Sequence, residues 1–234
     1  MIPIKGLQKT TLVDYPHTIA CTVFLGGCNF RCGYCYNLDL VLNSRKLPSI
    51  PEEDFFSFLD SRKGLLEGVC ITGGEPTLWE DLPSFCAKIK DKGFKVKLDT
   101  NGTHPEMLRL LIDKKLVDYV AMDVKAPLEE YQRVIGVAIA TEHIAESIRI
   151  LLEGNVDYEF RTTMVPDTIG VAEILKIGAL IKGAKRYFLQ QFRPMETTID
   201  PKYRTMEPLP PSALLDMQTL ARQYVSEVGI RNAS

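Results

Sequence analysis

The 234-residue sequence lacks long apolar runs, and none approaches the roughly 18 residues that a membrane-spanning helix needs. The first nine residues lack the basic segment, apolar run and small-residue cleavage site of a secretory signal. We therefore expect no membrane segment and a cytoplasmic location. The net charge of -2 gives no general electrostatic reason to bind nucleic acid, which usually requires a basic excess or a clustered basic face.

Cysteine is scarce outside one short loop. Three of the six cysteines are scattered, at Cys21, Cys70 and Cys86. This pattern does not resemble a disulfide framework in a chain of this size, and it favours a reducing compartment. We expect each scattered cysteine to be a buried, small apolar side chain. No second cysteine-rich block follows the loop, so an auxiliary metal cluster is not expected.

The other three cysteines are crowded as Cys28-x3-Cys32-x2-Cys35, within a loop at residues 26–37. Three thiolates without a fourth local Cys or His fit an iron–sulfur cube better than zinc, whose structural sites normally have four protein ligands. One iron of such a cube would be open to a small molecule. The alternative is a zinc-binding interaction module that uses the same three cysteines.

Short apolar or β-branched runs alternate with segments of helical period after residue 16. This pattern predicts six strands, at 19–25, 68–72, 95–99, 119–124, 158–164 and 187–192. It predicts helices at 52–62, 82–92, 105–114, 141–153 and 172–181, and a C-terminal helix at about 211–228. Long loops are expected at 128–139 and 194–211.

Alternation of this kind implies parallel strands joined by right-handed helical crossovers. Eight such units close a full barrel, so six units predict an α/β fold with a partial, open-sided (β/α)6 barrel. No linker or low-complexity segment divides the sequence, and we expect residues 1–234 to form a single domain.

Polar motifs follow the predicted strands, at the ends where parallel barrels carry their active sites. These motifs are the cysteine loop, Thr72-Gly73-Gly74-Glu75-Pro76, Asp99-Thr100-Asn101-Gly102 and Asp123-Val124-Lys125, and the fifth strand carries Arg161. The two glycines would allow backbone carbonyls to approach a bound amine, and Glu75 would add negative charge beside a cationic ligand.

Taken singly, each of these residues has a plainer explanation. Most Gly-Gly pairs are turns, Asp99 could cap a turn, and Lys125 could be a solvated charge at a strand end. A buried Arg161 could equally form a structural ion pair. The motifs become specific only in combination.

In combination, Cys28-x3-Cys32-x-Tyr34-Cys35, the Gly-Gly-Glu-Pro run and the Asp-Thr-Asn-Gly run resemble radical S-adenosylmethionine (SAM) enzymes of the group that activates glycyl-radical enzymes. Within that group, residues 11–16 (Thr-Leu-Val-Asp-Tyr-Pro) and Cys35-Tyr36-Asn37 most resemble the anaerobic ribonucleoside-triphosphate reductase activating proteins. The resemblance covers nearly the whole chain.

The resemblance implies that Cys28, Cys32 and Cys35 bind a [4Fe–4S] cluster whose open iron chelates the amino and carboxylate groups of SAM. One-electron cleavage of SAM would then yield a 5′-deoxyadenosyl radical that removes a hydrogen atom from a glycine of a partner enzyme. That partner would be a glycyl-radical enzyme, with anaerobic ribonucleotide reductase favoured. A low-potential donor such as flavodoxin or ferredoxin would supply the electron.

The resemblance also implies roles for residues at the strand ends. Lys125 and Arg161 would act at the reacting groups, and Asp14 would meet the backbone of the partner. The SAM-binding residues would be Tyr34, Tyr36, Gly73, Gly74, Glu75, Asp99, Asn101, Asp123 and Lys125. A monovalent cation would lie between Asp99, Thr100 and Asp123, as in the similar formate-lyase activating enzymes.

One departure weakens the assignment to formate lyase. Where the formate-lyase activating enzymes have a histidine near the end of the sixth strand, this chain has Gln190 and Gln191, whose roles stay open. Two enzymatic alternatives remain: an activase of a formate-lyase-like enzyme, and a radical SAM enzyme that acts on a small molecule without a protein partner.

Overall fold

Eight strands lie side by side in chain order in the computed structural model, which describes residues 2–232. They are β1 Ile4–Thr11, β2 Ala20–Leu25, β3 Gly68–Gly73, β4 Lys95–Thr100, β5 Tyr119–Asp123, β6 Asp157–Met164, β7 Arg186–Gln191 and β8 Glu227–Arg231. β1 is antiparallel to β2, and all later neighbours are parallel. The predicted α/β fold with a parallel sheet is confirmed, and β1 and β8 form its two edges.

Within residues 2–232, eight α-helices connect the strands, and all of them lie between consecutive parallel strands. They are α1 Leu38–Leu42, α2 Glu52–Asp60, α3 Leu82–Asp91, α4 Pro105–Asp113, α5 Tyr131–Ile135, α6 Thr141–Leu152, α7 Val171–Leu180 and α8 Pro211–Ala221. Short 3-10 turns occupy Ser44–Lys46, Pro76–Leu78, Leu128–Glu130 and Pro201–Arg204. No helix in this range is long and apolar enough to cross a bilayer.

The longer helices are amphipathic and bury one face against the sheet. In α6, for example, Ile144, Ile148 and Leu151 recur at helical spacing, and all three are buried in the main core. The glycine that follows this helix, Gly154, has a φ of 76°, the left-handed conformation that commonly ends a helix. Hydrophobic period and glycine position therefore located the longer connecting helices correctly.

The prediction of six strands missed both edges of the sheet. β1 is mostly half-buried or exposed and lacks an alternating apolar pattern, so its sequence gives no strand signal. β8 is short and contains Gly229, whose added Cβ would lie 2.6 Å from the Phe188 ring of the neighbouring strand. Close packing against β7 requires this glycine, although glycine in a sequence normally argues against a strand.

The predicted C-terminal helix at about 211–228 was too long, because α8 ends at Ala221 and β8 begins at Glu227. The buried residues Leu214, Met217, Ala221, Val225 and Val228 are spaced as on one helical face. Val225 instead lies in the segment between α8 and β8, and Val228 lies on β8. The expected loops were also wrong in part, since 128–139 contains α5 and 194–211 contains a 3-10 turn.

The scattered cysteines are all buried, but their surroundings differ. Cys21 and Cys86 lie in the main apolar core, as expected. Cys70 points into the barrel, where its sulfur lies 3.7 Å from Lys97 Nζ and 3.9 Å from an Asp99 carboxylate oxygen. Its environment is therefore ionic rather than apolar.

A buried carboxylate ties the edge strand β8 to the inside of the sheet. Glu159 on β6 is fully buried and accepts hydrogen bonds from Arg231 Nη2 (2.8 Å) and the Tyr119 hydroxyl (2.7 Å). The Arg231 guanidinium also lies 3.7 Å from the centroid of the Phe188 ring. This contact crosses β7 and holds the end of β8 against the barrel.

We predict that Arg231→Ala lowers the free energy of unfolding by about 3 kcal/mol, because it leaves the buried Glu159 carboxylate without its charged partner. The matched control is Arg149→Ala, which removes exposed ion pairs with Glu146 and Glu153 and should cost less than about 1 kcal/mol. Urea unfolding of both variants measures the difference. Equal losses in the two variants would contradict this explanation.

Candidate functional site

A cavity of about 1080 Å³ opens at the carboxyl ends of the parallel strands. Every residue predicted for the site from the sequence lines this central cavity: Asp14, Cys28, Cys32, Tyr34, Cys35, Tyr36, Gly73, Gly74, Glu75, Asp99, Thr100, Asn101, Asp123, Lys125 and Arg161. Gln190 and Gln191 line it as well, and the cavity reaches Gln8 on β1 and Arg231 on β8. It therefore extends to both edge strands of the sheet.

The cysteine loop is held in place by its own backbone. Gly27 N donates to Leu40 O (2.8 Å), Arg31 N donates to Ile135 O (2.8 Å), and the Trp79 indole N–H donates to Gly26 O (3.1 Å). Bonds from three separate segments fix the loop without using the cysteine side chains. The thiols are thus left to face the cavity.

The opposite side of the loop is covered by the chain that follows β7. Asp200 N donates to Gly33 O (2.9 Å), and a Cβ on Gly33 would lie 2.6 Å from the Tyr203 ring. Tyr203 also packs edge-on against Tyr34, with the ring centroids 6.0 Å apart. These contacts explain why the residue between Cys32 and Tyr34 is glycine.

Burial raises the pKa of all three thiols above the ordinary value for cysteine. It raises the pKa of Cys28 to about 12 and that of Cys32 to about 11, although the Lys125 ammonium acts in the opposite direction at both. The pKa of Cys35 is also raised by burial. Metal binding here must displace protons, as for thiolate sites in general.

The number of thiols in the loop favours a cluster over a single zinc ion. Cys28, Cys32 and Cys35 line the same cavity, and residues 26–37 contain no fourth Cys and no His. Structural zinc sites normally have four protein ligands, whereas the thiolates of an iron–sulfur cube each bind a different iron. The donor set therefore fits the cube better than a structural zinc ion.

Gly73 and Gly74 bring the β3 end into direct contact with the start of the cysteine loop. Gly74 N donates to Leu25 O (2.8 Å), and a Cβ on Gly74 would lie 1.8 Å from Gly27 O. Gly73 has a φ of 116°, and its Cβ would lie 2.4 Å from Leu25 O. The close approach of the two backbones therefore requires glycine at both positions, because any Cβ would overlap the neighbouring chain. This requirement is stricter than the conformational preference of a turn.

The carboxylate of Glu75 joins the ends of β3 and β4. It is 1% exposed and accepts hydrogen bonds from Thr77 Oγ1 (2.5 Å), Thr100 Oγ1 (2.8 Å) and Asn101 N (2.6 Å). Burial raises the pKa of Glu75, and these hydrogen bonds oppose that rise. Both oxygens are engaged, so Glu75 acts first as a tie between loops.

Asn101 extends this tie to the cysteine loop. Its Nδ2 donates to Asn29 Oδ1 (2.9 Å), and Asn29 Nδ2 donates to Thr103 Oγ1 (2.9 Å). Asn29 was not singled out from the sequence, although it stands directly after Cys28. Its amide connects the thiol-bearing loop to the end of β4.

Five alternating charges line the inside of the barrel, in the order Lys97, Asp99, Arg161, Asp123 and Lys125; we call this set the charge chain. Lys97 is paired with Asp99, and Arg161 Nη1 lies 3.2 Å from the second oxygen of Asp99. Arg161 Nε lies 2.8 Å from Asp123, whose other oxygen is 3.1 Å from Lys125 Nζ.

The charge chain keeps its two half-buried carboxylates ionised. Burial alone would raise the pKa of Asp123, but Arg161 and Lys125 lower it to about 2. The pKa of Asp99 is lowered in the same way by Arg161 and Lys97, against the effect of burial. The site therefore presents fixed charges near neutral pH.

Lys97 was missed in the sequence analysis, although a signal for it exists. A lysine inside a buried parallel strand is unusual, and residues 97 and 99 point to the same face because side chains alternate along a strand. The Lys-x-Asp spacing on an inward face therefore predicts a buried ion pair.

Asp14 and the two glutamines lie at the side of the cavity. Asp14 accepts a hydrogen bond from Thr22 Oγ1 (2.5 Å), which turns its carboxylate towards the inside of the barrel. Gln191 Nε2 donates to Leu209 O (2.7 Å), which anchors the segment that precedes α8. These contacts position the residues but do not by themselves give them chemical roles.

Comparison with known proteins agrees with this geometry. The model of the radical SAM superfamily matches residues 22–177. A protein of Methanocaldococcus jannaschii, provisionally named a glycyl-radical enzyme activating enzyme, is 34% identical over 233 residues, covering 97% of this chain and 95% of its own length. The pyruvate formate-lyase-activating enzyme of Streptococcus mutans is 27% identical over 218 residues, covering 87% of this chain and 82% of its own.

Two solved structures share the fold at low sequence identity. SuiB of Streptococcus suis bound to SAM has a TM-score of 0.68 at 13% identity, with 88% of this chain and 48% of SuiB covered. This chain thus spans about half the length of SuiB. A domain of the pyruvate-formate lyase-activating enzyme from Bacteroides vulgatus has a TM-score of 0.55 at 18% identity, with 70% of this chain and 98% of that domain covered.

The family match and the cavity agree on the cofactors. Radical SAM enzymes use a [4Fe–4S] cluster and SAM, and both the spacing and the loop position of Cys28, Cys32 and Cys35 fit that use. The zinc module is correspondingly not favoured. By the matched family model, and by its similarity over nearly its full length to the Methanocaldococcus protein, the chain belongs to the radical SAM superfamily.

Proposed function

We propose that this enzyme activates a glycyl-radical enzyme, with anaerobic ribonucleoside-triphosphate reductase as the favoured partner. The observation that carries the proposal is the convergence of the three thiols with Asp99, Asp123, Lys125 and Arg161 of the charge chain on one cavity that also reaches both edge strands. A cavity open between β1 and β8 could admit a segment of another polypeptide. The similarity to the Methanocaldococcus protein supports the activation of a glycyl-radical enzyme but names no particular partner.

In this proposal, Cys28, Cys32 and Cys35 hold the cluster. When bound, the cluster and SAM supply a one-electron reductive cleavage that produces a carbon radical able to remove a hydrogen atom from glycine. Lys125 has a side chain that is 14% exposed and lies beside Asp123, so its ammonium can meet the carboxylate or ribose of SAM. Arg161 holds the Asp123 carboxylate in place.

The remaining predicted contacts surround the same space. Tyr34, Tyr36, Gly73, Gly74 and Asn101 line the cavity between the cysteine loop and the ends of β3 and β4. We propose that they enclose SAM and exclude water from it, which limits side reactions of a radical. The backbone hydrogen bond of Gly74 N to Leu25 O and the side-chain hydrogen bond of Asn101 to Asn29 fix this part of the cavity before any ligand binds.

The partner would approach from the side of the sheet. Val13 is 82% exposed beside Asp14, and both residues line the central cavity. We propose that Asp14 accepts a backbone N–H of the partner's glycine segment, and that Val13 contacts an apolar group next to it. A low-potential donor such as flavodoxin or ferredoxin would reduce the cluster.

A formate-lyase-like partner is the second candidate. The 27% identity with the Streptococcus mutans activating enzyme favours it. Gln190 and Gln191 disfavour it, because they supply amide groups where the resemblance places an imidazole. The two candidates differ only in the partner, and each can be tested with the same enzyme preparation.

Glycyl-radical formation tests the proposed function directly. We expect anaerobic enzyme with cluster, SAM and reductant to produce a doublet electron paramagnetic resonance (EPR) signal on anaerobic ribonucleotide reductase. A partner variant in which the radical glycine is replaced by alanine should give no doublet, as should the Cys32→Ala activase. Absence of a doublet on both this partner and a formate-lyase-type enzyme would refute the proposal, and turnover of a small molecule alone would identify the other alternative.

Gly74→Ala should prevent the cysteine loop from reaching its position, because the new Cβ would overlap Gly27 O at 1.8 Å. We expect iron incorporation on anaerobic reconstitution to fall to the level of Cys32→Ala. Gly170→Ala is the control, since its Cβ would meet only the end of the Glu173 side chain at 3.2 Å. Normal iron content in Gly74→Ala would show that the two loops do not require contact.

Lys125→Met should retain iron but weaken SAM binding by about tenfold, the effect of losing one hydrogen bond to a charged group. The change in the cluster EPR signal on titration with SAM measures the affinity. Lys114→Met is the control, because Lys114 is exposed at the end of α4. Unchanged affinity in Lys125→Met would remove this lysine from the SAM site.

A further inference from the structure

The carboxylates of Asp99 and Asp123 have cationic side-chain partners on both oxygens. Asp99 accepts from Lys97 on one oxygen and from Arg161 (3.2 Å) and Thr72 Oγ1 (3.2 Å) on the other. Asp123 accepts from Arg161 (2.8 Å) and Lys125 (3.1 Å) on separate oxygens. No oxygen of either carboxylate is left without a donor from the protein.

The third expected cation ligand is turned away from them. Thr100 Oγ1 donates to Glu75 (2.8 Å) and accepts from Gly102 N (3.1 Å). Its hydroxyl is therefore used within the tie between β3 and β4. The residues Asp99, Thr100 and Asp123 do not fit the monovalent cation that the resemblance implies.

The charge balance points the same way. The charge chain contains three cations, Lys97, Arg161 and Lys125, and two carboxylates. A metal cation added between Asp99 and Asp123 would be a fourth positive charge among groups that are already in contact. Like charges in direct contact oppose one another, so the three cations already present disfavour a fourth.

Lys97 precedes Asp99 by two residues on β4, so the two side chains lie on the same face of the strand and form an ion pair. In the sheet register it lies opposite Cys70, which lies opposite Thr22, so the three form one row across β4, β3 and β2. The Lys97 side chain is 2% exposed. A buried ammonium is costly unless it is paired, and Asp99 is the carboxylate that pairs with it.

We propose that the Lys97 ammonium takes the place of a monovalent metal cation in this enzyme. It neutralises Asp99 from below, so that Arg161 stays shared between Asp99 and Asp123 instead of turning fully towards one of them. Asp123 in turn holds Lys125 facing the cysteine loop. Lys97 is thus a positioning residue that acts through Asp99 and Arg161, and the site is complete without sodium or potassium.

This inference rests on the proposed function in one respect, namely that Lys125 binds SAM. It requires no partner enzyme, since its consequences appear in SAM binding by the activase alone. A failure to form a glycyl radical would therefore leave it standing. A failure of Lys125→Met to weaken SAM binding would instead point to the wrong assignment of Lys125.

The experiment measures the SAM affinity of the reconstituted enzyme, by EPR titration, in choline, sodium and potassium chloride at equal ionic strength. We expect the wild-type dissociation constant for SAM to be the same within about twofold in all three salts. The reason is that the Lys97 ammonium is part of the protein and does not depend on the cation in solution. Sodium-23 NMR relaxation should show no bound sodium in the cluster-free protein. Tighter SAM binding in sodium or potassium than in choline would overturn the proposal.

Variants of Lys97 separate positioning from general stability. Lys97→Met should weaken SAM binding by about tenfold, whereas Lys97→Arg, which keeps the charge, should recover most of the affinity. Lys95→Met is the matched control, because Lys95 begins the same strand and is exposed. Wild-type affinity in Lys97→Met, or an equal loss in Lys97→Arg, would refute the role of the ammonium. If Lys97→Met does not fold, the salt series and Lys97→Arg still decide.

Discussion

The close approach of two backbones is the constraint on which the rest of the site depends. The end of β3 lies against the end of β2 so tightly that a Cβ on Gly74 would lie 1.8 Å from Gly27 O. The hydrogen bond from Glu75 N to Gly27 O then fixes the start of the cysteine loop relative to the sheet. Because the thiols follow directly, their placement in the cavity depends on this contact, and any larger residue at position 74 would displace them.

Next to this contact, hydrogen bonds between polar side chains connect the ends of the neighbouring strands. The carboxylate of Glu75 bonds to the end of β4, and Asn101 from that end bonds to Asn29 beside Cys28. The loop is therefore closed into a ring of hydrogen bonds before a cofactor is present. Preorganisation of this kind lowers the cost of ordering the site when ligands bind, and it leaves the thiols free to coordinate iron.

The charge chain is the second feature that organises the site, and it acts through ion pairs and not through backbone hydrogen bonds. Hydrogen bonds within the loops fix the backbone, whereas Lys97, Arg161 and Lys125 hold two half-buried carboxylates, Asp99 and Asp123, ionised and oriented. The sequence motifs identified both aspartates, Lys125 and Arg161, because they stand at or near strand ends. They did not identify Lys97, which lies inside a strand, or the β8 edge, where Gly229 and a continuing helical spacing masked the strand.

The sequence by itself determined the type of metal centre to expect and the order of the inner strands along the chain. Cysteine spacing indicated an iron–sulfur cube, and the alternation of apolar runs predicted the inner parallel strands, because both signals are local. Only the tertiary structure decided which partners each polar residue has. In the tertiary structure the Thr100 hydroxyl donates to Glu75, Cys70 lies beside Lys97, and both carboxylate oxygens of Asp99 accept hydrogen bonds from protein groups. Such pairings join residues that are far apart in the chain. Their geometry follows from strand register and packing, and a local sequence pattern does not predict either of these.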